Sequence, residues 1–304
     1  MSIESHSGVS RNQFILLVFI TLFWGVNWPI MKMAVTHYPP MTFRGLSILF
    51  GLGTIAIYFK TAGISFHVPR KEWGTVLRLG LLNMAVWHVL LMVALPHLNS
   101  GRASVIGYTM PVFSALWGAS LYKQKFAKAH FIYIALALLG ILLLLSTEFT
   151  SLSGAPLAAI LLLGATATWA LGTQQLRRTK TDLHILTIAF WMTVITAFAI
   201  LPFSVGLERQ NWAMPSVPVL LAILYNGVLI FGFCHTAWAY IARTLSPVAS
   251  SVSISLIPVL GLLSGAFFLK EQLYWQDGLA IILIGTAVLG TIKPEKIPPL
   301  VPNS

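Results

Sequence analysis

Of the chain's 304 residues only 9% are charged and 57% are hydrophobic, against about 25% and 45–50% in a soluble domain. Together with a mean hydropathy of +0.83, this excludes a water-soluble globular protein and identifies an integral membrane protein. The formal net charge of +11 is carried on connections between apolar runs, which points to a membrane surface and excludes a nucleic-acid groove.

A helix needs about 20 apolar residues to cross a bilayer, and ten runs qualify. They fall near 14–35, 41–60, 74–95, 101–122, 128–146, 154–176, 184–206, 217–241, 247–269 and 276–292. The first contains Phe23-Trp24-Gly25 and Asn27-Trp28. It is too long for a cleaved signal peptide and lacks a small-x-small site. Arg44 and Gly51-Leu-Gly53 lie in the second run, Asn83, Trp87 and His88 in the third, and Tyr108 and Pro111 in the fourth. The sixth carries Trp169 and Gln174; the eighth carries Asn226, Cys234, His235 and Trp238; the ninth carries Pro258. Cys234 is the single cysteine, so an intrachain disulfide is impossible. The runs are unbroken and lack the alternation of a membrane barrel. The Pro-rich end at 294–302 reads as a disordered tail.

Numbering the connections sorts the charges. Arg11, Lys60, Arg70, Lys71, Arg78, Lys123, Lys125, Lys128, Arg177, Arg178, Lys180, Arg243, Lys293 and Lys296 fall on one side. Lys32, Arg102, Arg209 and Lys270 fall on the other. By the positive-inside rule both termini are cytoplasmic.

Residues 98–125, LNSGRASVIGYTMPVFSALWGASLYKQK, align without a gap on residues 245–272, LSPVASSVSISLIPVLGLLSGAFFLKEQ. The constant offset of 147 pairs Ser104 with Ser251, Pro111 with Pro258 and Lys123 with Lys270. The same offset pairs His88 with His235 and Gly80 with Gly227, and Phe23-Trp24-Gly25 corresponds to Thr168-Trp169-Ala170. Five spans per half, an odd number, make the second half enter from the opposite side. The expected architecture is therefore all-α, with ten transmembrane helices forming two inverted-topology five-helix repeats. The first repeat covers 1–148, the second 149–293, and 294–304 is a cytoplasmic tail. Membrane proteins built this way are transporters that rock about a site held between the halves.

The run IPVLGLLSGAFFLKEQLYWQDGLAIILIG (257–285) resembles the signature of the drug/metabolite transporter superfamily, in its ten-helix EamA-type branch. The shared pattern is a helix with a central Pro, small residues, a terminal Glu (here Glu271), a short polar link and a Gly-bearing last helix. FWGVNWPIMK (23–32) is similar to the family's opening helix, as is the placement of Arg44 in the second span. Gln124 stands where the family often has Glu, which weakens a shared role for that carboxylate. The resemblance implies a transporter of the bacterial inner membrane that moves small metabolites by alternating access. Its aromatic content is most similar to amino-acid exporters of that branch. The resemblance also implies a cavity drawn from spans one, three, four, six, eight and nine.

The residues that could serve transport follow from depth and chemistry. A histidine inside a membrane faces the bundle interior or a wet cavity, so His88 and His235 could bind a carboxylate, carry a proton or line two gates. The alternative is a neutral imidazole bonded to a neighbouring helix. Trp24, Trp28, Trp87, Tyr108, Trp169 and Trp238 lie deep enough to stack on an aromatic solute or meet an ammonium group; packing or lipid contact is the alternative for any one of them. Trp73, Trp212 and Trp275 fall at span ends as interfacial anchors. Asn27, Asn83, Gln174 and Asn226 supply neutral hydrogen-bonding groups, and Ser104, Ser253 and Ser255 lie beside the prolines. Pro111 and Pro258 would each free a carbonyl four residues back, giving either a pair of flexing hinges or a pair of static kinks. Arg44 and Lys32 could meet a carboxylate, snorkel to the surface or pair structurally.

The eight acids are Glu4, Glu72, Glu148, Asp182, Glu208, Glu271, Asp277 and Glu295, none of them in the middle of a span. Ion-coupled carriers commonly keep a carboxylate there. Facilitated export of net-neutral, zwitterionic amino acids is the expected activity. A drug, sugar or nucleoside exporter of the same superfamily, proton-coupled through histidine, is the alternative. An intramembrane hydrolase would need a G-x-S-x-G serine or paired aspartates, and a channel a continuous polar lining; neither is written here. No cofactor or metal is indicated. The expected partners are a small-molecule substrate and the bilayer, and the oligomeric state is left open.

Overall fold

A computed structural model describes residues 10–123, 128–150, 155–244 and 256–292, and among them all regular structure is helical. Helix α1 spans Arg11–His37 and starts in a capping box, in which Ser10 and Gln13 bond each other's backbone N–H. This satisfies two donors that a helix start leaves open. Pro39 and Pro40 then force a new helix, α2 (Pro40–Ala62), which ends at Gly63 in the left-handed region. Helix α3 runs continuously over Arg70–His97, α4 is Ser100–Gly107 and α5 is Met110–Ser120. Helix α6 is Lys128–Thr150, α7 Pro156–Arg178 and α8 Ile185–Asn211. Helix α9 runs through Val217–Leu224, Tyr225–His235 and Thr236–Thr244, followed by α10 (Ile257–Leu269) and α11 (Trp275–Ile292).

Six of these, α1, α2, α3, α7, α8 and α9, are long and apolar enough to cross a membrane. The expected span at 101–122 is two helices, α4 and α5, separated by a turn at Tyr108-Thr109. The run at 247–269 is described only from residue 256, as α10. Large apolar side chains such as Phe14, Leu49, Ile57, Leu142, Phe198 and Phe267 point outward, as a lipid-facing surface requires. Trp73, Trp212 and Trp275 are also exposed, at the helix ends where belt residues were expected.

Helix α1 packs on α9 and α10, and α7 packs on α3, α4 and α5. Helix α2 packs on α8 and α9, α8 on α2 and α3, α10 on α4, and α6 on α11. Among these contacts α1 on α9 resembles α7 on α3, and α2 on α9 resembles α8 on α3. Two details follow the 147-residue offset. Gly80–Ala85 in α3 and the stretch around Gly227 in α9 are both widened to π-helix. Among the described residues Lys123 and Lys270 are the two non-glycine positions with positive φ, at 50° and 55°.

Close crossings explain several small residues. A Cβ on Gly51 would lie 2.4 Å from Cβ of Phe231, and one on Gly227 would lie 2.5 Å from Cβ of Phe50. Buried hydroxyls are satisfied inside their own helices: Thr166 donates to Leu162 O, Thr193 to Ala189 O and Thr196 to Met192 O. In lipid that return bond removes a cost that water would otherwise cover.

One end of the bundle is tied by charge. Glu271 accepts from Ser100 N, Ser100 Oγ and Gly101 N at 2.7–3.0 Å, and so caps α4. Glu208 does the same for α2 through Met41 N, Thr42 N and Thr42 Oγ1. Lys32 donates to Leu95 O and Pro96 O at the end of α3; it is a helix cap and not a snorkelling surface cation. Asp277, nearly fully buried, pairs with Arg102 at 3.0 Å. The acid is therefore interior even though it stands at a helix start, where it also accepts from Tyr274 N.

A tryptophan-lined cavity at the junction of the two halves

Around the middle of the bundle α1, α2, α3, α4, α7 and α9 enclose a cavity, completed by Met110 of α5 and Ile257 of α10. It offers about 70 Å³ to the centres of water-sized molecules. The tryptophan-bearing spans meet here. Trp24 stands edge-on to Trp169, ring centres 6.0 Å apart, and also touches His235 at 5.6 Å and Trp238 at 5.7 Å. Trp87 lies 4.8 Å from Trp169. Gly107 leaves space for the Trp28 ring, whose carbons would lie 3.0 Å from a Cβ there.

Eight of the residues expected to bind substrate line this space: Trp24, Asn27, Trp28, Trp87, His88, Tyr108, Trp169 and His235. Four do not. Asn83 donates to Trp169 O and Thr173 Oγ1, joining α3 to α7. Gln174 donates to Ser114 O and Oγ, joining α7 to α5, and accepts from Arg178. A buried amide must find partners, and these two find them on the neighbouring helix. Asn226 bonds Ala222 O and accepts from Arg44, and Trp238 backs Trp24 from outside the cavity lining.

His88 and His235 meet with ring centres 5.4 Å apart, and Phe231 packs on both. The sequence left them open as carboxylate ligands, proton carriers or the linings of two gates. Each lies only just past the middle of its helix, α3 and α9, and the two rings share one centre.

The prolines also differ from expectation. Pro111 and Pro258 occupy the first turns of α5 and α10, where a missing N–H leaves no bond unmade. In the fourth span the chain breaks fully at Tyr108-Thr109 before Pro111, so the expected mid-helix bend is a helix junction. Ser104 lines the cavity and donates to Gly101 O and Pro258 O. Ser251, Ser253, Ser255 and Gln124 lie outside the described residues.

Arg44, which the sequence left open as a partner for a carboxylate, a snorkelling cation or a structural pair, is a cavity residue. Its side chain is 1% exposed and lines the cavity from α2, a helix outside the six expected contributors. Its nearness to a span start suggested snorkelling. Packing of α1 and α9 over α2 closes that route.

A second, wider crevice lies between α1, α2, the start of α8 and the end of α9, lined by Phe19, Phe23, Tyr58, Gly232 and Tyr240 among others. Phe23 faces the crevice and its neighbour Trp24 the cavity.

Comparison with known proteins follows the same lines. A solved crystal structure superposes with a TM-score of 0.67 at 18% identity, over 92% of this chain and 96% of that one. The chain is 28% identical over 285 residues to the uncharacterized inner membrane transporter YedA of Escherichia coli K12, covering 93% of this chain and 91% of the relative. It is 27% identical to the uncharacterized transporter YvbV of Bacillus subtilis, covering 90% and 89%. It is 22% identical to a probable amino-acid metabolite efflux pump of Escherichia coli K12, covering 92% and 94%. The pattern of the EamA-like transporter family matches twice, at residues 12–146 and 156–293. With nearly the whole chain accounted for by those two matches, the protein belongs to the EamA-like transporter family of the drug/metabolite transporter superfamily.

Proposed function

We propose that this protein is an inner-membrane carrier that exports zwitterionic metabolites, aromatic and other neutral amino acids, by alternating access. The observation that carries this reading is the buried cavity walled by Trp24, Trp28, Trp87 and Trp169, with helices from both halves around it. Aromatic faces hold an apolar side chain and attract an ammonium group, at about 0.5–2 kcal/mol per cation–π contact.

The like packing of α1 on α9 and α7 on α3, the matched π segments, the matched Lys123 and Lys270 and the double family match support two inverted five-helix repeats, 1–148 and 149–293. In that arrangement ten helices cross the membrane, both termini are cytoplasmic, and the end tied by Glu271, Glu208 and Lys32 faces outward. Pro111 and Pro258 then begin the helices α5 and α10 at the positions best suited to swing. The names borne by YedA and by the amino-acid metabolite efflux pump accord with the location and the substrate class. Among the described residues no carboxylate lines the cavity, which accords with uncoupled transport.

Counterflow tests this reading. Proteoliposomes preloaded with unlabelled phenylalanine are expected to accumulate labelled phenylalanine transiently, equally with and without a pH gradient. No counterflow with phenylalanine, tryptophan, methionine or threonine would sink the amino-acid assignment in favour of drugs, sugars or nucleosides. Accumulation that follows the pH gradient and is lost in His88→Ala or His235→Ala would overturn the uncoupled mechanism.

A further inference from the structure

Arg44 is a buried cation without a counter-charge. Nη1 donates to Asn226 Oδ1 at 3.3 Å and Nη2 to the thioether of Met31, both neutral acceptors, while Nε reaches no acceptor at all. The guanidinium centre also lies 5.5 Å from the Phe231 ring and 5.7 Å from that of Phe43. No acid of the described chain forms an ion pair with it. Glu208, which meets α2 two to three residues before Arg44, is committed to Met41 and Thr42 at the start of that helix. Residues 245–255 contain no acid either.

Burying an unpaired charge is costly, and proteins retain one where a partner arrives. The same cavity holds two further unmatched polar groups. Both ring nitrogens of His88, which packs on Phe231 beside Arg44, lack a hydrogen bond. Oδ1 of Asn27 is a buried acceptor with no donor. A planar fork of N–H donors suits a carboxylate, an adjacent imidazole can add a donor, and a lone carbonyl oxygen suits an ammonium N–H.

We propose that Arg44 is the carboxylate anchor of the transport site, with His88 as second donor and Asn27 Oδ1 as acceptor for an α-ammonium group. This rests on the carrier reading above and narrows it. The solute must carry a carboxylate, and amines, amides and sugars of the same size are poor substrates. A solute whose carboxyl group is removed would leave the guanidinium as unpaired as in the empty cavity, so discrimination comes from the group at Arg44 and not from the apolar body held by the tryptophans.

The test uses the full-length protein, purified in detergent for thermal unfolding and reconstituted for counterflow. The probes are phenylalanine, 3-phenylpropionate, phenylalaninamide and phenethylamine. Phenylalanine and 3-phenylpropionate are expected to stabilise the protein and inhibit labelled phenylalanine entry. The amide and the amine should need about ten- to a hundredfold higher concentration, the size of a lost charged hydrogen bond. Arg44→Lys should keep part of that preference and Arg44→Met should abolish it, making acid and amide equal. Equal inhibition by phenylalanine and phenylalaninamide in the unaltered protein overturns the proposal while leaving the carrier intact, and that comparison stands whether or not the Arg44→Met variant folds. Stabilisation by 3-phenylpropionate that depends on Arg44, without phenylalanine counterflow, would uphold the anchor and refute amino-acid export. Stabilisation by none of the four would overturn both.

Discussion

A methyl group on Gly172 would lie 2.5 Å from the backbone nitrogen of Asn83, closer than packed atoms tolerate. Gly172→Ala is therefore expected to push α7 off α3 and to cost about 1–3 kcal/mol, read as a lower unfolding temperature in detergent. The same displacement would break the Asn83 bond to Thr173. Trp169 is half-buried and faces Trp24 and Trp87. Replacing it by Ala should raise KM for phenylalanine by about five- to thirtyfold, equivalent to the loss of about 1–2 kcal/mol of ring contact, with expression and folding retained. An unchanged KM would remove Trp169 from the binding surface. The Trp24–Trp169 meeting was legible in the sequence because the internal repeat makes them equivalents near a shared axis. The burial of Arg44 was not, because a single arginine near a span end reads the same whether it snorkels or is roofed by two other helices. Asn83 and Gln174 stand outside the cavity lining, bonded to the next helix, for a related reason. Polarity within an apolar run announces a need for partners but not whether a solute or the next helix supplies them.

At the level of elements, the charged ties at one end join the halves. Arg102 is buried against Asp277 and its guanidinium lies 4.7 Å from the Tyr274 ring. Removing one member of such a pair leaves the other as an uncompensated buried charge. Arg102→Met is expected to cost about 3–5 kcal/mol, whereas the double change with Asp277→Leu should recover part of that loss; additive costs would show that the two are not coupled. Glu271→Gln should cost less, about 0.5–2 kcal/mol, the range of a helix cap. At the offset of 147, Glu271 maps to Gln124 and Arg102 to Ala249, so the charges of this latch have no counterpart in the other half. The latch is then expected to hold one end shut more firmly than the other, and Glu271→Gln to increase cysteine labelling of the cavity from that end. The π segments in α3 and α9 escaped sequence reading because one extra residue per turn leaves an apolar run apolar, and only the traced backbone shows it.

For the whole molecule, orientation is open to direct measurement. With Cys234 fully buried, introduced thiols can be read without interference. A membrane-impermeant maleimide on intact cells is expected to label Ala213→Cys and to miss Lys71→Cys until the cells are opened; the reverse pattern would invert the proposed topology. Composition and run length alone determined that this is an all-helical membrane protein, because the bilayer tolerates few other ways to satisfy a backbone. The repeat likewise determined which helices should be equivalent, since equivalence is a property of residue order. What only the tertiary structure decided is which groups touch: that His88 and His235 share one centre, and that Arg44 stands in the cavity beside Asn226 and Phe231. Those outcomes depend on how far neighbouring helices approach and what they cover, distances between residues more than a hundred positions apart on which local sequence pattern carries no information.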